Sequence, residues 1–277
     1  MVDKFKLKYT QRILIIAIFI FISAIPFLQT SLHALAETPA EKGLAIVTEA
    51  DRRDTGYDDS TAHMLMVLKN RHGLESRREI RMRNLEVIND GDKSLTIFDS
   101  PKDIKGTAFL NYTHKMGDDD QWLFLPALKR VKRISSRNKS GSFMGSEFSY
   151  EDIAGQEIEK YTYKWLRDEE HEGMDCFVIE RYPVDKKNSG YSRQMAWIDK
   201  QEYRTWKVQY YDRKDAHLKT LTMNNYKQYK GKFWRSLEMH MANHQTGKST
   251  LLQFTGYKFM VDLNDDDFSK NSLQRLR

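Results

Sequence analysis

The chain has a single cysteine, Cys176, among 277 residues. One thiol excludes an internal disulfide framework and any zinc site built on cysteine pairs. It sits in Met174-Asp175-Cys176-Phe177-Val178-Ile179, a strand-like run in which it reads as a small buried apolar side chain. Proline is scarce, with 5 residues, so there is no Pro-rich stalk. Long apolar runs are scarce as well. Only one segment, near the N-terminus, could span a bilayer, which excludes a polytopic membrane protein. Catalytic signatures are missing: no Gly-x-Ser-x-Gly, no His-Glu-x-x-His and no P-loop, hence no recognisable means of using nucleotide energy. Core material is abundant. Aromatic residues at 12% and 12 methionines are too much for a disordered chain.

Residues 1–36 read as a cleaved secretory signal. Lys4, Lys6, Lys8 and Arg12 form a positive start, and an apolar run follows from Ile13 to Leu28, interrupted by Ser23 and Pro26. Ala34-Leu35-Ala36 is a small-x-small cleavage site before Glu37. No cysteine lies there to take a lipid. Export through this signal places the protein in the periplasm. The overall balance is 45 Lys+Arg against 39 Asp+Glu; without residues 1–36 it is 41 against 38, or about +3. So small an excess does not indicate nucleic acid. Anionic lipid or polysaccharide surfaces are the acidic partners it fits, with transient membrane contact.

The remaining 241 residues (277 − 36) fit one domain, 37–277. Thr38-Pro39-Ala40-Glu41 reads as a cap, a first-turn proline and an acidic start, predicting a helix with Leu44, Val47 and Ala50 inward. Thirteen strands are expected after it: 61–69, 75–88, 93–99, 107–114, 121–125, 128–135, 161–167, 174–182, 191–198, 203–211, 216–226, 233–243 and 248–260. Spacings of roughly 12 residues leave no room for crossover helices, so the sheet should be an antiparallel meander. Trp206, Val208 and Tyr210 alternate with Thr205, Lys207 and Gln209, and Leu237, Met239 and Met241 with Glu238 and His240. Tyr161, Tyr163 and Trp165 likewise share a face. Such a sheet has one greasy side, larger than one short helix can cover, so it must close, curl around helices or keep a cavity. The fold class expected is mainly β: a half-open, incomplete barrel covered by a few short helices. A last helix is expected from Asp265-Asp266-Asp267 through Phe268, Leu273 and Leu276. The long non-strand stretch 136–160 carries Phe143, Met144, Phe148 and Tyr150, and is expected to act as a lid.

No metal or cofactor is expected. Asp118-Asp119-Asp120 and Asp265-Asp266-Asp267 read as a solvated turn and a helix start. On a strand Met239 and Met241 point away from His240, and His240 lies about 13 Å from His244, too far to share one ion. Glu169-Glu170 reads as a turn. Lys129, Arg130, Lys132 and Arg133 form the densest basic patch. It reads equally as a charged strand edge that discourages aggregation and as a contact for a phosphate headgroup or acidic partner.

The block Trp122-Leu123-Phe124-Leu125-Pro126-Ala127-Leu128-Lys129-Arg130-Val131-Lys132-Arg133-Ile134-Ser135, followed by Ser142-Phe143-Met144-Gly145-Ser146-Glu147-Phe148-Ser149-Tyr150-Glu151-Asp152, resembles the outer-membrane lipoprotein-sorting, LolA-like family in its larger, uncharacterised branch. Tyr182-Pro183, Tyr191, Met195-Ala196-Trp197-Ile198-Asp199, Tyr210-Tyr211-Asp212 and Asp267-Phe268-Ser269 fit the same spacing. The resemblance implies a strongly curved open barrel plugged by helices, a cavity for the acyl chain of a lipid or lipoprotein, and a periplasmic shuttle. It also implies partners: an exporter of the resistance-nodulation-division (RND) type that supplies energy, or an outer-membrane acceptor. Alternation and the greasy stretch nominate Trp122, Phe124, Phe143, Met144, Phe148, Trp165, Trp206, Tyr210 and Met239 as cavity lining. The alternative is a non-transporting envelope interaction or sensor module of the same fold with a filled core. An enzyme acting on lipid or glycan ranks below both, for want of a nucleophile or carboxylate pair.

Overall fold

A computed structural model describes residues 37–273. The export-signal reading on 1–36, and Leu276 in 274–277, lie outside the described residues. The strands are β1 (Asp59–Lys69), β2 (Glu75–Leu85), β3 (Lys93–Ser100), β4 (Ala108–Tyr112), β5 (Asp120–Leu125), β6 (Arg130–Ile134), β7 (Tyr161–His171), β8 (Met174–Pro183), β9 (Tyr191–Asp199), β10 (Thr205–Asp212), β11 (His217–Tyr229), β12 (Phe233–Asn243) and β13 (Ser249–Phe259). All thirteen expected strands form, with ends displaced by a few residues.

They make one curved, open antiparallel sheet in the order β6-β5-β4-β3-β2-β1-β13-β12-β11-β10-β9-β8-β7. Two meanders are joined where the first strand pairs with the last, Met66 opposite Leu252. The two edges, β6 and β7, are consecutive in sequence. The chain between them, 135–160, must therefore travel from one edge of the sheet to the other. β7 runs longer than expected and takes in Glu169 and Glu170. The reversal comes at Glu172-Gly173, both with positive φ (51° and 82°), a two-residue hairpin turn whose twist matches the strands.

The inner face buries Met64, Met66, Ile80, Phe98, Phe109, Ile179, Ile198, Val208, Leu221 and Met241. A smaller outer cluster of Leu95, Ile97, Leu110, Trp122 and Phe124 lies under Phe268 and Leu273. Those two come from the C-terminal segment, a 3-10 turn (Asp265–Phe268) capped by Asn264 and a helical turn (Lys270–Leu273).

Helix α1 (Pro39–Asp54) opens with the expected capping box. Glu41 N–H donates to Thr38 Oγ1 at 3.2 Å, and the Glu41 carboxylate accepts from Thr38 N–H at 2.8 Å. Of the three residues expected inward, Val47 and Ala50 face the sheet while Leu44 points outward, and Gly43 and Ile46 are the buried residues of the helix. The reason is close approach to β7. A Cβ on Gly43 would lie 2.7 Å from the Trp165 backbone nitrogen and 2.9 Å from Lys164 backbone atoms, so only glycine lets the helix sit there. Gly43→Val is accordingly expected to lift α1 from β7 and destabilise the protein by about 1–3 kcal/mol, the usual cost of overpacking. Urea unfolding with increased proteolysis at the helix would register it; an unchanged midpoint would refute the close fit. No helix among the described residues is long and apolar enough to cross a membrane.

Candidate functional site

The inner face is divided. Over β2–β6 it is filled by the 136–160 crossing. Phe143 packs against Phe98 and Phe109 with ring centroids at 6.0 and 5.3 Å, and against Tyr150 at 5.4 Å. The crossing continues over the other strands, where Glu147 N–H donates to Thr250 Oγ1 and Asp152 pairs with Lys219, but beside it a cavity of about 730 Å³ stays open between β8–β12 and α1. Its floor is apolar: Ile179, Ala196, Ile198, Val208, Leu221 and Met239. Val47 and Ala50 of α1 face it from above, and Phe148 bounds it on the filled side. A second recess of about 310 Å³ shares Asp54, Tyr226, Trp234 and Met239 with it.

Around this hollow the polar groups are positioned. Arg204 pairs with the buried Asp199 at 2.8 Å and lies 4.6 Å from the Trp234 ring and 5.2 Å from Trp206, a cation held among aromatic faces. Arg53 of α1 lies 4.3 Å from the Tyr203 ring and donates to the Gln201 carbonyl at 2.8 Å, tying the helix's C-terminal end to the β9–β10 turn.

The size, the apolar floor and the single covering helix are those of a site for one amphiphile, within the ~300–1,000 Å³ typical of ligand pockets. A family model described only as an uncharacterized protein matches residues 90–275. A solved domain named for outer membrane lipoprotein sorting, from Vibrio parahaemolyticus, is 59% identical with a TM-score of 0.84; the match covers 85% of this chain and 100% of that one. A DUF1329 family protein from Desulfovibrio piger is 31% identical with a TM-score of 0.81, covering 85% and 99%. The chain belongs to the LolA-like, outer membrane lipoprotein-sorting family. A LolA superfamily protein from Nitrosomonas europaea, 22% identical, shares the fold with a TM-score of 0.67 over 83% of this chain and 98% of that one. No curated protein matches.

In this LolA-like chain the nominated residues fall into four places. Phe148, Tyr210 and Met239 line the cavity. Trp206 stands beside it, meeting the lining residue Tyr226 edge-to-face with ring centroids 4.9 Å apart, and its Nε1 donates to Asp199 at 3.0 Å. Phe143, Met144 and Trp165 belong to the inner core without lining the cavity; Trp165 lies beneath the start of α1, with Lys42 Nζ 3.5 Å from its ring. Trp122 and Phe124 do not reach it at all, since they sit on the outer face beneath Phe268 and Leu273. Alternation separates the two faces of a strand but does not say which one is concave, and here both are buried. Residues 136–160 therefore act as a plug over half the face, and the segment over the cavity is α1. Lys129, Arg130, Lys132 and Arg133 are all exposed along the edge strand β6, beside Leu128, and Arg133 pairs with Asp120 at 2.5 Å.

The plug is locked by charge. Lys219 Nζ bonds Asp152 at 2.6 Å and the Glu147 carbonyl at 2.8 Å, with both paired side chains almost wholly buried. Beside them Glu151 accepts from Ser189 Oγ at 3.1 Å and from Gly190 N–H at 3.2 Å. Burial, reinforced by neighbouring Asp152, pushes the Glu151 carboxyl up from 4.5 to about 7, against the opposing pull of Gly190 N–H, Lys139 and Ser189. The folded state thus holds a proton that the unfolded chain releases, and stability falls as pH rises from about 4.5 to about 7, then levels off. Glu151→Gln, which can still accept from Ser189 and Gly190, is expected to remove this loss. Its advantage over wild type should be absent near pH 4 and grow to at most about 3 kcal/mol by pH 8. Urea midpoints across that range decide it, and a pH-independent difference would refute it.

Proposed function

We propose that this protein is a periplasmic carrier that binds the acyl chain of a lipid or lipoprotein in the cavity beneath α1 and shuttles it between envelope components. The carrying observation is the hollow of about 730 Å³, with an apolar floor and polar walls, left open on the inner face beneath α1. Each buried CH₂ is worth ~0.8 kcal/mol, so a long acyl chain crosses water only when a protein replaces the bilayer around it. A carrier must also release, and α1 suits this. It rests mainly on β7, with lesser contact to β8 and β12, and buries only Gly43 and Ile46 fully. It can swing away at a cost far below that of opening the sheet.

The chain has no recognisable energy-using motif of its own, so an RND-type exporter is the partner proposed to drive transfer, with an outer-membrane acceptor at the other end. The basic edge strand, with exposed Leu128 beside Lys129 and Arg130, supports transient contact with an anionic membrane surface or acidic partner. The test is native mass spectrometry with lipid extraction on protein purified without detergent. A reproducible co-purifying lipid or acylated peptide is expected. An empty protein that also refuses fluorescent acyl probes would sink the carrier reading and favour the interaction module.

A further inference from the structure

The cavity contains a positive charge that the protein does not neutralise. Arg181 of β8 lies on the inner face, in register with Tyr163 of β7 and Gln194 of β9, and lines the hollow. Its Nε donates to Gln194 Oε1 at 2.7 Å, and its guanidinium lies 5.2 Å from the Tyr161 ring. These contacts orient the side chain but leave both terminal amino groups without a hydrogen-bond acceptor among the described residues. The flanking Glu180 points to the opposite face and pairs with Arg193 at 2.8 Å.

The cavity's carboxylates are engaged elsewhere or stand at its mouth. Asp152 belongs to Lys219, and Asp54 to Arg235. Glu202 accepts from Trp234 Nε1 at 3.2 Å. Asp51 is exposed on α1. The two terminal amino groups open onto the water-accessible space of the hollow, and their free fork matches two oxygens of a carboxylate or phosphate.

Resting on the carrier reading, we infer that Arg181 is the headgroup receptor of the cavity, and that the cargo is an amphiphile with an anionic head, carboxylate or phosphate, whose tail lies along Ile179, Ala196, Val208 and Leu221. A cargo with a neutral head would leave this charge buried without a counterpart. The ligand would enter head first, against β8, with its tail running towards β12.

The test uses protein purified from the cell envelope and displacement of a fluorescent acyl probe at pH about 8, where a carboxylic acid is ionised. Tetradecanoate, tetradecyl phosphate and tetradecanol are compared on wild type, Arg181→Met and Arg181→Lys. Wild type is expected to bind at least one of the two anions at least about tenfold tighter than the alcohol, the scale of one charge-assisted hydrogen bond. The tighter of the two names the head. Arg181→Met should abolish the preference of anion over alcohol, and Arg181→Lys should keep part of it. If wild type binds all three alike, the headgroup receptor is overturned and the carrier stands. If a folded Arg181→Met keeps the preference, Arg181 is not the receptor. If the probe binds but none of the three displaces it, the headgroup receptor is overturned; if an empty protein refuses the probe itself, the carrier reading falls and takes this inference with it. Should Arg181→Met fail to fold, Arg181→Gln replaces it, and the wild-type comparison alone can still overturn the proposal.

Discussion

Asp152→Ala is expected to destabilise the protein by about 3–5 kcal/mol, the cost of leaving one partner of a buried ion pair uncompensated. Few positions in the chain carry so many roles. The Asp152 carboxylate accepts from Lys219 Nζ at 2.6 Å, from the Tyr191 hydroxyl at 2.8 Å and from Ser149 N–H at 2.7 Å, the last capping the helical turn Tyr150–Ile153. Without it the Lys219 ammonium keeps only the Glu147 carbonyl and the faces of Tyr191 and Tyr210, each 5.2 Å away. Against a typical total of ~5–15 kcal/mol this is a large fraction of stability. Because the pair ties the 136–160 plug to β11, the loss should also free the plug, seen as new protease cleavage within it. The double variant Asp152→Ala with Lys219→Met should recover part of the stability, since the stranded charge is then gone. A urea midpoint for Asp152→Ala within about 1 kcal/mol of wild type would show that the pair contributes little.

Ala196→Trp is expected to weaken acyl-chain binding by about a hundredfold in the protein that folds, with some loss of stability from overpacking. Ala196 is a buried floor residue opposite Val208 in register, packed among core side chains with only its edge on the hollow, so an indole there must push into the space the tail would occupy. Displacing about four methylenes of a bound tail, at ~0.8 kcal/mol each, accounts for that factor. Trp122→Ala is the contrasting variant. It empties a site in the outer cluster under Phe268 and should cost ~3–5 kcal/mol of stability without altering affinity in the protein that folds. Fluorescent acyl-probe titration of both variants checks the pair. Tight binding by folded Ala196→Trp would mean that the ligand site is not this cavity.

How much of this was legible beforehand differs from element to element. Strand positions were readable because a half-buried strand must alternate and its turns need residues that accept positive φ, as at Asn89, Gly231 and Gly247. Strand β7 was cut short at Arg167 because Glu169-Glu170 looks like a polar turn, yet the reversal falls at Glu172-Gly173. The start of α1 was readable because capping is local: Thr38, Pro39 and Glu41 specify it within four residues. Val47 and Ala50 were readable on its inner face, but Leu44 was misplaced, because the fit there is set by how closely Gly43 approaches a strand more than a hundred residues away.

The candidate site was legible only in part, for the same reason. Tyr210 and Met239 were found by alternation and Phe148 by its place in a greasy loop, but Trp122 and Phe124 carry an equally apolar pattern on the wrong side of the sheet. Arg181 gives no signal in the sequence, where it is one basic residue in a strand beginning Met174-Asp175-Cys176; only the geometry shows it without a counter-charge in a hollow. The sequence by itself determined the fold class, the thirteen strands, the helix start and the family, because these depend on local periodicity, turn chemistry and a contiguous block of residues. The tertiary structure alone decided that β6 and β7 are opposite edges, that residues 136–160 cross and fill half the inner face, and that the other half stays hollow beneath α1. These are properties of strand order and curvature, which bring together residues far apart in the chain and which no local pattern encodes.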